Sequence, residues 1–193
     1  MRLNDRAVGA VAMGRALPVT TARSRLRLVE PGDLPEIRAY RQLPEVARFL
    51  GHPPLGEQEA RELVAGWVED TTAVTVVAEH AGRVVGDVRL RFRPSAAVPP
   101  ATTTAVEASL GYAFHPDVGG QGLATECVRA VVELARGPGA ARRITARVFA
   151  PAERSTRLLA RLGFTRDGVD RQAVLSPDGA EWWDDELWSR LGE

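Results

Sequence analysis

The chain has no lysine: its 25 basic residues are all arginine, and 25 acidic residues balance them to a formal net charge of zero across 193 residues. Without lysine there is no Gly-Lys-Ser/Thr ending of a Walker-type loop, which excludes a nucleoside triphosphatase of that kind. Zero net charge and an isoelectric point near 6.9 supply no broad positive field, so neither nucleic acid nor an anionic membrane is expected as a partner. A single cysteine, Cys127, rules out an intrachain disulfide framework and suits a reducing cytoplasm. No apolar run approaches the roughly 20 residues of a membrane span. The histidines, His52, His80 and His115, are too scattered to make a metal site beside one cysteine, and no metal is expected.

What is present is ordinary globular usage, 45% hydrophobic and 26% charged, enough for one full core. Residues 23–193 read as a single domain. Residues 1–22 read as a flexible N-terminal extension, because the apolar stretch Val8 to Met13 is short, glycine-broken and unlike a secretory core.

The densest signal runs from Gly111 to Ala135, GYAFHPDVGGQGLATECVRAVVELA. An alternating strand ends at Pro116. Three glycines in four residues, Gly119, Gly120 and Gly122, then let the main chain turn several N–H groups toward one point. The next segment is an amphipathic helix, with Ala124, Cys127, Val128, Val131, Leu134 and Ala135 recurring at three- and four-residue intervals. A helix start adds unpaired first-turn donors and a positive dipole end, so the stretch is a cradle for a pyrophosphate. The dinucleotide fingerprint fits poorly, since GGQGLA offers GxG with alanine one position early and no suitable acidic residue follows.

Elsewhere Arg25 to Val29 reads as a first strand, and Asp33 is placed to cap a helix carrying Leu34, Ile37 and Tyr40. Ala60, Leu63, Val64, Trp67 and Val68 form the stripe of a second helix. Segments 72–79 and 84–92 make a hairpin in which Val88, Leu90 and Phe92 alternate with Arg89, Arg91 and Arg93, so one face is wet. Pro94 to Thr104 reads as a connecting loop, placed either over or beside a binding cleft.

The loop Gly119-Gly120-Gln121-Gly122-Leu123-Ala124 resembles motif A of the GNAT acyltransferases, Q/R-x-x-G-x-G/A followed by a helix. Gly119 departs from the pattern, standing where glutamine or arginine is commonest. Arg154 to Phe164 resembles the family's N-x-x-S-x-x-L-L-x-x-L-G-F block through Ser155, Leu158, Leu159, Leu162, Gly163 and Phe164, with Ala152 in place of the asparagine. Ala124-Thr125-Glu126, and the tail Asp178-Gly179 with Trp182, Asp184 and Trp188, are similar to the branch of ribosomal-protein N-terminal acetyltransferases. The resemblance implies an α/β fold: a central mixed, mostly antiparallel sheet of six to seven strands, flanked by about four helices, with the parallel fourth and fifth strands splayed apart.

It also implies an acetyl-CoA-dependent N-acetyltransferase acting on a primary amine, either a protein N-terminus or a small molecule, in a monomer or homodimer of the bacterial cytoplasm. Coenzyme contacts are expected from Phe114, His115, Gly119, Gly120, Gln121, Gly122, Leu123, Ala124, Thr125, Ser155 and Arg161, with the Phe114 N–H as oxyanion donor. Glu107 is the candidate general base or, alternatively, a solvated edge residue. Ser155 either steadies the sulfur or caps its helix, and Arg161 either meets the 3′-phosphate or faces solvent. Cys127, on the apolar stripe, reads as a small buried hydrophobe. A domain that binds acyl-CoA without turnover is the other class.

Overall fold

The structure, a computed structural model, describes residues 4–192. Its elements are α1 (Asn4–Arg15), β1 (Val19–Thr20), β2 (Arg25–Leu28), α2 (Leu34–Arg41), α3 (Pro44–Ala47), α4 (Glu57–Glu69), β3 (Ala73–His80), β4 (Arg83–Pro94), β5 (Val106–Phe114), α5 (Leu123–Arg136), β6 (Ala141–Phe149), α6 (Glu153–Arg161), β7 (Thr165–Leu175) and β8 (Trp182–Leu191). Eight strands form one mixed sheet in the order β1-β2-β3-β4-β5-β6-β8-β7, parallel only between β5 and β6. The two-residue β1, the N-terminal α1 and the four-residue α3 raise the counts above those expected from sequence.

Alternation decides which residues meet which layer. On one face Val88, Leu90 and Phe92 of β4 pack with Leu110 of β5, Ile144 of β6 and the apolar stripes of α1, α5 and α6. On the other face α2 and α4 lay Ile37, Tyr40, Val64 and Trp67 over Val77 and Ala113. Each such side chain, fully buried, stabilises by about 1.5–3 kcal/mol. Hairpin β3–β4 turns through Ala81 at φ 49° and Gly82 at φ 78°, both left-handed, as a tight hairpin requires.

Residues 1–22 differ from expectation. Residues 1–3 lie outside the described residues, but 4–15 form α1, with Met13 fully buried and Ala10 nearly so. Gly9 is required by the packing: a Cβ there would lie 2.9 Å from the Gly139 carbonyl and 2.9 Å from the Phe92 ring. The residue that argues against a helix by propensity is the one that lets this helix approach the sheet.

Candidate active site

The parallel pair β5–β6 is in register from Val106↔Ala141 to Leu110↔Ala146 and no further. Beyond that point β5 stays paired to β4 as far as Phe114, and β6 to β8 as far as Phe149, so the two strands part. The His115 N–H donates to Val85 on the β4 side at 2.8 Å. Successive strand N–H groups alternate in direction, so those of Tyr112 and Phe114 point into the opening. The expected oxyanion donor therefore faces the gap.

The glycine loop follows shortly after the end of β5 at Phe114. A 3-10 turn, Pro116–Val118, leads into it, capped by His115 Nδ1, which accepts from Asp117 N at 3.2 Å. Gly120 and Gly122 both sit at φ +74°, and Gly122 is the N-cap of α5 with no side-chain cap bond. The N–H groups of Gly120 to Thr125 find no acceptor among the described residues. Six free donors converging at a helix start fit a diphosphate. Leu123 contributes only its amide, because its side chain is buried in the core. Gln121 folds back, its Nε2 donating to the Asp117 carbonyl at 3.1 Å. Beside the loop lies a cleft of about 330 Å³ lined by Gly122, Thr125, Glu126, Arg129 and Arg161, which brings Arg161 to the start of α5.

Two arginines that sequence reasoning missed support this loop. Arg23 donates from Nη1 to the Gln121 carbonyl at 2.8 Å and from Nε to Glu126 at 2.7 Å. Burial pushes the Glu126 carboxyl up, and hydrogen bonds from Thr21 and Arg23 more than offset it, holding it below the usual range. Arg154 of α6 lies across the loop, its Nη1 3.5 Å from where a Gly119 Cβ would be. A Cβ at Gly119 would also sit 2.8 Å from the Pro116 carbonyl, which explains why the position departs from the family pattern. Nothing local in the sequence signals the Arg23 contact, since its partners lie about a hundred residues away.

Ser155 is half-buried in the first turn of α6, but the cap position belongs to Ala152, so the capping alternative is not what the structure shows. The Ser155 carbonyl accepts from the Tyr112 hydroxyl at 3.4 Å across the opening. Burial pushes that hydroxyl up to about 12, so it stays protonated.

Glu107 is not in this site. It lies seven residues before Phe114 on β5, roughly 23 Å away along the strand. Its carboxylate is held by Arg93 at 3.1 Å, Arg142 at 3.2 Å and Arg143 at 4.0 Å. Three guanidinium groups on a buried carboxylate make Glu107 a structural anchor and not a base at the opening.

On the face opposite α5, the opening is bordered by Asp87, which pairs in register with Ala113. Asp87 is buried and accepts from Arg41 Nη2 at 2.5 and 2.7 Å. Arg41 also lies 4.7 Å over the Trp67 ring and 3.3 Å from His52 Nε2. The far wall is aromatic, with Trp183 centred 5.9 Å from Phe49 and 6.0 Å from Phe149. Among the described residues no cluster of His, Cys, Asp or Glu is placed to hold a metal, and no helix is long and apolar enough to cross a membrane.

The family model of the acetyltransferase (GNAT) domain matches residues 23–165, and the chain belongs to that family, whose enzymes use acetyl-CoA as acyl donor. No protein of curated function matches it by sequence. Among solved structures, a GNAT-family acetyltransferase from Bacillus anthracis is 20% identical, with 91% of this chain and 98% of that one covered and a TM-score of 0.73. The ribosomal-protein-S5-alanine acetyltransferase from Vibrio fischeri is 18% identical over 92% and 97%, at a TM-score of 0.73. A ribosomal L7/L12 alpha-N-protein acetyltransferase in complex with coenzyme A is 19% identical over 90% and 97%, at 0.70. At these identities the likeness is one of fold.

Proposed function

We propose that the protein moves the acetyl group of acetyl-CoA onto a primary amine by direct attack in a ternary complex. The observation that carries this reading is the coincidence of two features: β5 and β6 part at Leu110/Ala146, and six unpaired amides begin just beyond the end of β5. The loop amides and Arg154 take the diphosphate, and Arg161 and Arg129 the nucleotide end. The Tyr112 and Phe114 amides receive the thioester arm, with the Phe114 N–H meeting the oxyanion. Ser155 and the Tyr112 hydroxyl stand beside the departing sulfur.

With Glu107 removed from the site, the acceptor's own basicity matters more. An α-amine near pKa 8 is about one-tenth neutral at pH 7, whereas a lysine near 10.4 is neutral about once in a few thousand, a difference of about 3 kcal/mol. An α-amine loses its proton to solvent without a dedicated base, so an N-terminal acceptor is favoured over a lysine side chain. The fold shared with two acetyltransferases of ribosomal proteins supports the same choice.

Thiol release from acetyl-CoA, measured against a panel of peptides with free α-amines and small amines, tests the reading. Acetylation of at least one α-amine is expected. A melting shift with coenzyme A and no thiol from any acceptor would make this a binding domain instead.

A further inference from the structure

The sheet face that carries Asp87 and Ala113 is covered by α2 and α4 at Ala113 but open over the middle of β5. Ser109 and Gly111, in the middle of a central strand, are exposed, and a Cβ at Gly111 would meet nothing within 4 Å. The floor is small and open. One wall is the end of α4 with Trp67 and Asp70, beside Arg89, whose guanidinium bonds Asp70 and lies 5.9 Å from the Trp67 ring. The other wall is β6, where Arg147 binds Asp185 at 2.7 Å and also pairs with Asp170.

The charges along this trough are layered. Arg91 is 62% exposed above an Asp70 that is 19% exposed. Arg93 and Arg142 are each 56% exposed above Glu107, which is 10% exposed. The cations face solvent and the anions lie beneath them. At this end five guanidinium groups, those of Arg89, Arg91, Arg93, Arg142 and Arg143, answer to three carboxylates, Asp70, Glu107 and Asp167, so a net positive strip remains.

We infer that this trough holds the acidic N-terminal segment of a partner protein, laid extended over β5 with its α-amine at the opening. The inference rests on the acetyl-transfer reading and names its acceptor. An extended peptide has the same rise per residue as the strand beside it, so residue one in the opening between β5 and β6, at the level of Phe114, puts residue four at Gly111 and residue six at Ser109. Its fourth to eighth residues then lie among Arg89, Arg91, Arg93 and Arg142. Asp or Glu there is attracted to exposed guanidinium groups, and Lys or Arg is repelled.

The test uses the full chain, acetyl-CoA and three octapeptides sharing their first three residues, with Glu, Gln or Lys at the later positions. The expected kcat/KM for the Glu peptide exceeds that for the Gln peptide by about tenfold at low salt, and the gap narrows between about 50 and 300 mM NaCl. In the doubly substituted Arg91→Glu, Arg93→Glu protein the order inverts toward the Lys peptide, while an unaltered coenzyme A melting shift shows that the variant is folded. Equal use of all three peptides, or a variant that lowers all three alike, overturns the acidic acceptor and leaves acetyl transfer standing. No thiol release from any amine overturns both.

Discussion

Arg154 lies against Gly119, its Nη1 3.5 Å from where a Cβ there would sit, although the two residues belong to separate motifs. In the proposed site the helix across the opening provides the cation that the loop lacks at its first position. Among the described residues Glu153 is taken by Arg157, and Arg154 makes no ion pair or side-chain hydrogen bond, which leaves its guanidinium free for the phosphate of the proposed site. Arg154→Ala is expected to weaken coenzyme A binding by about tenfold, the scale of one charge-assisted hydrogen bond. Calorimetry with dephospho-coenzyme A separates the sites: the Arg154 effect persists without the 3′-phosphate, and an Arg161→Ala effect disappears.

Glu107 is expected to matter for stability and not for chemistry. Glu107→Gln leaves three arginines facing a neutral amide, at a cost of about 1–3 kcal/mol. Thermal melting should fall by several degrees, while kcat with a small amine changes less than about threefold. A loss of a hundredfold in kcat with an unchanged melting point would restore Glu107 as the base.

Glu79 gives the pH dependence a sign. Hydrogen bonds from Arg27 at 2.7 Å and Arg25 at 2.9 Å hold its carboxyl below the usual range. A carboxyl whose folded value is depressed stabilises above its unfolded value, near 4.3, and the contribution fades as pH falls through the folded value. Melting temperature should therefore drop below about pH 4.5, and less steeply in Glu79→Gln.

The N-terminal helix offers a separate check on the domain's extent. Gly9→Val drives a side chain into the Gly139 carbonyl and the Phe92 ring, both 2.9 Å from the first added atom. A loss of about 1–3 kcal/mol is expected, read as a lower melting point. An unchanged melting point would mean that α1 contributes nothing to the domain.

The cradle, the helix behind it and the second motif were legible because their signals are local: glycine spacing between Gly119 and Gly122, a 3.6-residue stripe from Ala124 to Ala135, and a leucine pattern closed by Gly163-Phe164. Burial of Cys127 followed from the same stripe and is what the core shows. Glu107 failed because alternation along a strand gives the face and not the position relative to a gap whose start depends on β6. Arg23 and Arg154 were silent because both act across the fold, on groups that no periodicity connects to them. The helix at residues 4–15 was hidden by Gly9 and Gly14, whose low helix propensity outweighed contacts visible only in three dimensions.

The central claim, that a coenzyme diphosphate rests on the amides ahead of Thr125, is tested most directly by calorimetric titration of coenzyme A into the protein and into Gly122→Val. Gly122 sits at φ +74°, where a β-branched side chain is strongly disfavoured. The account predicts measurable binding to the natural chain and a loss of at least about thirtyfold in the variant, the equivalent of about 2 kcal/mol. No heat with the natural chain, or equal affinity in the two proteins, would contradict it.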